Sequence, residues 1–471
     1  MAQRGIINII EPAMDQQNSL YQSAEKIHAR EVDGPFDSLR TISVVVLLGL
    51  YYILPWLRWD DRQAVLFDLP ARKFYILGLT FWPQDFIYLA WLLIIAGVAL
   101  FFFTALAGRL WCGFACPQTV WTTAFVWMER LTEGNRSKRI KLDNSPWTMD
   151  KIRRKAAKQV LWISFALWTG YTFVGYFTPI VDLGREIATL SLGPWESFWV
   201  LFYSFATYGN AGIMREQVCK YMCPYARFQS SMFDRNTLVI SYDEARGEPR
   251  GSRSRKHGKN SATEHLGDCI DCHLCVQVCP VGIDIRNGLQ YECIACAACI
   301  DACDSVMDKM EYPRGLVKYT TENAIAGEKS QILRPRIFFY GTVLLILLIG
   351  LAGALSSRYE LRMNVLRDRN ALYRELASGR IENVYTLKVL NKSDRNHPLT
   401  LSVKGMPDLT VETDPQQPVA LAGELTTITA RVQATPADGN AGGNNIVFEV
   451  RSKSAPDIST ESKSRFFLPA N

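Results

Sequence analysis

Eight cysteines crowd between Cys269 and Cys303. The chain reads Cys-Ile-Asp-Cys-His-Leu-Cys-Val-Gln-Val-Cys-Pro from Cys269 to Pro280, and Cys-Ile-Ala-Cys-Ala-Ala-Cys-Ile-Asp-Ala-Cys from Cys293 to Cys303. Each half has the spacing C-x2-C-x2-C-x3-C, by which thiolates wrap a cubane [4Fe–4S] cluster. Three cysteines two residues apart converge on three irons of one small cube. The fourth lies too far along the chain and serves the neighbouring cluster. This crossing assigns Cys269, Cys272, Cys275 and Cys303 to one cluster, and Cys293, Cys296 and Cys299 with Cys279 to the second. A disulfide framework suits short secreted chains instead. Zinc sites use C-x2-C pairs rather than four-cysteine runs. His273, inside the first run, reads as a spacer because the cysteines already fill every iron.

The other four of the twelve cysteines form two copies of a different pattern: Cys112 and Cys116 followed by Pro117, and Cys219 and Cys223 followed by Pro224. Both are C-x3-C-P, and both follow an even-numbered apolar run, which points to a duplicated two-span unit. Cysteines four apart share one helical face. Proline disfavours helical geometry in the residue before it and suits the first position of a new helix. Cys116 and Cys223 are therefore expected at helix starts, where the partial positive charge favours thiolate. Four such thiols could bind Cu(I), hold a further iron–sulfur cluster, or cycle between dithiol and disulfide. The bland alternative is four inert cysteines buried at a membrane edge. The five histidines, His28, His257, His265, His273 and His397, all lie outside the apolar runs. A membrane haem held by paired histidines is thereby excluded.

Apolar segments must position these thiols. Of the 471 residues 48% are hydrophobic, and they are concentrated in five uncharged runs: Thr41–Leu57, Phe86–Gly108, Gln159–Val181, Ser197–Met214 and Ile337–Ser357. Runs of this length predict five transmembrane helices. The first follows a polar tail and reads as a retained anchor. Lys and Arg crowd the loop between Arg130 and Lys158, whereas the short loop after Val181 offers only Arg185. That bias places the N-terminus and the Cys269–Cys303 segment in the cytoplasm and the C-terminus outside.

The expected domains are a cytoplasmic tail over 1–40, with a short helix near Ala24–Glu31, and a membrane domain over 41–232 with four spans and both C-x3-C-P pairs. A cytoplasmic ferredoxin domain with linkers follows over 233–336, then a fifth span over 337–357. The basic run Arg250–Lys259 reads as a solvated linker; no nucleic-acid partner is expected. Beyond it, 358–471 has alternating stretches such as Tyr385–Leu390, Leu399–Val403 and Leu425–Val432, separated by turn residues. About seven such strands predict an immunoglobulin-like sandwich, periplasmic by the same topology and without a catalytic constellation.

Together these features resemble the cytochrome c oxidase accessory proteins of the FixG/CcoG type, over nearly the whole chain. Cys269–Pro280 and Tyr291–Lys309 carry most of the likeness. One departure is Asp304, where a simple ferredoxin motif has proline after its last cysteine. The resemblance implies a polyferredoxin of the bacterial inner membrane that serves assembly of a haem–copper oxidase. It implies reduction of Cu(II) to Cu(I), with Cys112, Cys116, Cys219 and Cys223 as the copper or redox site. Oxidase subunits or copper chaperones are then the partners, beside a cytoplasmic electron donor, and a homodimer is compatible with it. Two competing functions share the same cysteines: an electron conduit in a quinol-linked chain, and an assembly scaffold with structural clusters.

Overall fold

A computed structural model describes residues 26–253, 265–331, 333–368, 371–393 and 395–469. The chain divides into two compact units. One comprises Met1–Asp68 and Leu89–Leu348, the other Leu69–Tyr88 and Ile349–Asn471.

Among the described residues three helices are long and apolar enough to cross a membrane: Pro35–Trp56, Pro83–Ala107 and Pro335–Ser356. Their apolar side chains are largely unburied; Phe86, Ile87 and Leu93 are all more than half exposed. Such surfaces suit lipid rather than a water-facing monomer. The other two expected spans are helical with different limits. The third begins at Met149, where the Thr148 hydroxyl accepts the Lys151 N–H at 3.3 Å, and ends at Val174. Its first turns carry charge, which the expected start at Gln159 left out. The fourth is α-helical only over Pro194–Thr207. It continues as a π-helical segment, Tyr208–Met214, through Gly209 and Asn210.

The helix expected near Ala24–Glu31 does not form over 26–31; Ala24 and Glu25 lie outside the described residues. Arg30 N–H donates to the Gln277 carbonyl at 2.7 Å instead, and Glu31 pairs with Arg130 at 2.9 Å. These residues spend their polar groups on distant partners, so no local ladder closes.

The cysteine-rich segment hangs between two strands. Val239–Tyr242 pairs antiparallel with Val317–Thr320, in the register Val239↔Thr320 and Tyr242↔Val317. All eight cysteines therefore lie in the loop that this pairing closes. Ile240, Ile285, Ile300, Met307, Leu316 and Val317 form the apolar core beneath it.

The second unit is a sandwich of two antiparallel sheets. One has the order Thr410–Asp414, Leu425–Ala434, Ile381–Asn391, Leu361–Arg367, with Arg374–Glu375 beside the third of these. The other has the order Val419–Ala420, His397–Lys404, Gly442–Ser452, Ser459–Leu468. Alternate residues face inward: Tyr385, Leu387, Ile428, Val432, Phe448 and Phe466 are fully buried. The three stretches expected as strands lie in Ile381–Asn391, His397–Lys404 and Leu425–Ala434. Among the described residues nine strands form where about seven were expected, the additions including the two-residue pieces Arg374–Glu375 and Val419–Ala420. His397 is buried, its ring nitrogens 2.9 Å from the Ser393 and Ser452 hydroxyls.

Candidate electron-transfer site

The two halves of the cysteine segment share one backbone shape. Asp271 and His273 have φ of 53° and 55°; Ala295 and Ala297, at the equivalent positions, have 52° and 61°. These left-handed residues flank the second cysteine of each run and curl it. A helix then starts at once: Leu274–Gln277 in the first half, Ala298–Met310 in the second.

Two cavities result. Cys269, Cys272, Cys275 and Cys303 line one, with Leu316 and Val317 among its apolar walls. Cys279, Cys293, Cys296 and Cys299 line the other, and Cys275 touches it from the wall between them. Four thiols around an apolar hollow is a donor set that fits a [4Fe–4S] cube. Among the described residues no three His, Cys, Asp or Glu side chains gather as they would around a single ion. Burial pushes the thiols of Cys275 and Cys279 up to about 11, and those of Cys293 and Cys303 up to about 12. Metal loading must therefore displace protons from them. His273 borders the first cavity but is more than half exposed, with Nδ1 2.9 Å from the Arg286 guanidinium.

The C-x3-C-P pairs also share one construction. Cys116 N–H donates to the Trp111 carbonyl at 2.9 Å, and Cys223 N–H to the Val218 carbonyl at 2.8 Å. Each loop is thus closed by a five-residue bond from the second cysteine to the residue before the first. The second cysteine is extended, with ψ of 130° at Cys116 and 109° at Cys223, as a following proline requires. Helices Pro117–Glu133 and Pro224–Ser230 then begin on the prolines. The paired cysteines therefore share a closed turn rather than the face of one continuous helix. π-type closures of this kind recur at functional sites.

The expected thiolate character is not found at Cys116. Backbone N–H groups of Gln118 and Thr119 do favour the charged form at Cys116, but burial outweighs them and raises it. Burial, with Cys116 nearby, pushes Cys112 up to about 12. Burial, with Cys116 and Cys223 nearby, pushes Cys219 up to about 11.

The first cysteine of each pair packs beside the second cavity. Cys112 and Cys219 pack against the apolar cluster that contains Cys279, Cys293 and Cys296. Gly113 makes the approach possible: a Cβ there would lie 2.7 Å from the Ala295 carbonyl oxygen and 2.9 Å from Cys296 Cα. A larger cavity beside this contact is bordered by Thr119, Thr122, Cys219 and Cys296. Arg109 bridges the two sites. Its buried guanidinium donates to the carbonyls of Tyr291 and Cys293 on one side and of Ala226 on the other. Gln229, fully buried, donates to the Gly108 carbonyl at 2.9 Å and stands 3.6 Å from Cys112 Sγ. Arg215, with φ of 44°, breaks the helix before Cys219 and pairs with buried Glu129 at 2.8 Å. Arg139, Lys26 and Lys158 reach the same carboxylate at 3.4, 3.4 and 3.6 Å. Sequence reasoning missed Arg109, Gly113, Arg215 and Gln229. A signal was present: each C-x3-C-P follows an arginine, three residues before Cys112 and four before Cys219.

Comparison with known families finds a 4Fe-4S dicluster domain over residues 214–322 and a 4Fe-4S binding domain over 89–139. An IG-like fold at the C-terminal of FixG matches 351–469. The nitrogen fixation protein FixG of Rhizobium meliloti is 39% identical over 429 residues, covering 83% of this chain and 82% of that protein. The chain belongs to the FixG family. Two further relatives, RdxA and RdxB of Cereibacter sphaeroides, are each 40% identical, over 82% and 84% of this chain and 84% and 85% of their own lengths. The crystal structure of a FixG-related protein from Vibrio parahaemolyticus aligns at 32% identity over 24% of this chain and all of that one, with a TM-score of 0.22. The dicluster match spans Cys219, Cys223 and all eight cysteines from Cys269 to Cys303; the other spans Cys112 and Cys116. This FixG-family chain is an iron–sulfur protein of the electron-transfer type, with the apolar helices of a membrane protein.

Proposed function

We propose that this protein reduces Cu(II) to Cu(I) at the inner membrane for assembly of a haem–copper oxidase, with Cys112, Cys116, Cys219 and Cys223 as the place where copper is met. Cys269, Cys272, Cys275 and Cys303 would hold one [4Fe–4S] cluster, and Cys279, Cys293, Cys296 and Cys299 the other. Bound there, the clusters supply one-electron storage at low potential. The contact of Gly113 with the Ala295–Cys296 backbone carries this reading, because it brings the C-x3-C-P pairs against the second cavity.

Cu(II) is the substrate. It gains one electron and becomes Cu(I), a soft ion that thiolate sulfur stabilises over its hard precursor. Cys112 and Cys219 lie on the second cavity's apolar cluster, so copper bound to them stands next to that cluster's ligands. Their buried thiols must lose protons on binding, so protons compete with copper there. Cys272, the exposed member of its set, puts the first cavity nearest to solvent and to a cytoplasmic donor. The larger cavity bordering Cys219 gives copper a route in.

The test replaces Cys116 and Cys223 with Ser in one variant. The volume is nearly unchanged while soft ligands become hard. Iron should remain at about eight per chain, while Cu(I) binding and Cu(II) reduction by the reduced protein fall at least tenfold. Undiminished reduction would refute the site. One observation favours a second reading: the 4Fe-4S binding domain match covers Cys112 and Cys116. Under that reading wild-type iron is about twelve per chain and the double variant loses about four.

A further inference from the structure

Arg109 and Arg215 precede the two C-x3-C-P motifs, and among the described residues only Arg215 makes a salt bridge. Arg215 has Glu129 at 2.8 Å. Arg109 is 5% exposed, and among the described residues its hydrogen bonds go to backbone carbonyls, those of Tyr291, Cys293 and Ala226. Its Nε has no hydrogen-bond partner among the described residues. Carbonyl dipoles orient a guanidinium but do not neutralise it, and a buried cation without a counter-charge is costly. The ionisable groups that act on its charge are, strongest first, Cys112, Cys293, half-buried Glu292 and Cys223. Three of these four are cysteines, drawn from both thiol sites. They become anionic when they hold metal.

From this mismatch we infer that Arg109 is the shared counter-cation of the two thiol sites: a positioning residue whose charge is answered by metal-bound thiolates. The inference rests on the cluster assignment above. Each added electron makes a thiolate-bound centre more negative, so a fixed cation beside Cys293 favours the reduced form. The same fork fastens the loop before Cys112 to the loop around Cys293. Charge and geometry are thus supplied by one side chain, and they can be separated by substitution.

The experiment is a reductive titration of the purified full-length protein followed by electron paramagnetic resonance. The second cluster's signal is identified by its loss in Cys296→Ala. In Arg109→Gln, the second cluster should become harder to reduce by roughly tenfold, about 59 mV for one electron. The first cluster should be unmoved, and Arg109→Lys should restore the wild-type midpoint. A Gln variant with full iron and an unchanged midpoint overturns the inference. If the Gln variant loses iron, the Lys variant decides. Full iron at the wild-type midpoint supports a role for charge, whereas loss of iron there shows that only the fork matters and overturns it. Failure of the underlying assignment looks different, since wild-type protein would then carry no iron at all.

Discussion

Gly113→Ala isolates the contact between the two thiol sites without touching a sulfur. The glycine lies inside the short helix Leu110–Phe114, so alanine should favour the local fold by about 0.5–1 kcal/mol. The new Cβ would meet the Ala295 oxygen at 2.7 Å, where an ordinary contact begins near 3.4 Å. The atoms it strikes are backbone, held in place by the Tyr319 hydroxyl on the Ala295 carbonyl at 2.6 Å and by Arg40 on the Cys296 carbonyl at 3.1 Å. The loop must therefore retreat by about 0.7 Å or the helix must tilt. Overpacking of this kind costs about 1–3 kcal/mol. At mid-range the clash outweighs the helix gain by about 1.2 kcal/mol. The undocked population should then rise about eightfold. Iron content should stay at the wild-type value because every cysteine is intact. The rate of Cu(II) reduction by pre-reduced protein, read with a Cu(I)-specific chelating dye, should fall, and Gly113→Val should lower it further. An alanine variant that reduces copper at the wild-type rate and resists heat as well as the parent would refute the close approach.

Two further outcomes follow from other parts of the molecule. A periplasm-active reporter fused after Asn471 should work and one inserted near Gly258 should not, with the reverse for a cytoplasm-active reporter; a swapped result at either position refutes the five-span topology. Acid should loosen the helix that begins at Pro117. Burial raises the Glu129 carboxyl, but Arg215, Lys26 and Lys158 outweigh burial and hold it at about 2, below the usual 4.5. A depressed pKa contributes stability that is complete above about 4.5 and lost as pH falls toward 2. Thermal stability should therefore decline across that window, and less steeply in Glu129→Gln; identical pH profiles would refute the assignment.

Local spacing made the cysteine sets legible. The C-x2-C-x2-C-x3-C runs and the prolines after Cys116 and Cys223 act through a few neighbouring residues, so sequence suffices to read them. The strands of the sandwich were legible for the same reason, since alternation in Ile381–Asn391 and Leu425–Ala434 is a short-range pattern. What could not be read depends on burial and on distant partners. The Cys116 thiol lies high because of the burial around it, although a helix begins right after it. The approach of Gly113 to Ala295 joins residues far apart in the chain, and no periodicity announces it. The third expected span was drawn from uncharged residues alone. Its helix reaches back to Met149, where buried Lys151 and Lys158 find partners in the Asp143 carbonyl and in Glu133.

The pairing of Val239–Tyr242 with Val317–Thr320 bears on how the protein is made. Translation proceeds from the N-terminus, and segments become available for folding in that order. The second strand emerges only after Cys303, so the ladder has no partner until every thiol of the loop has left the ribosome. A nascent chain that ends before Val317 presents its cysteines on an open tether, within reach of whatever machinery delivers iron and sulfide. The order of synthesis therefore leaves the loop open until Val317–Thr320 arrives.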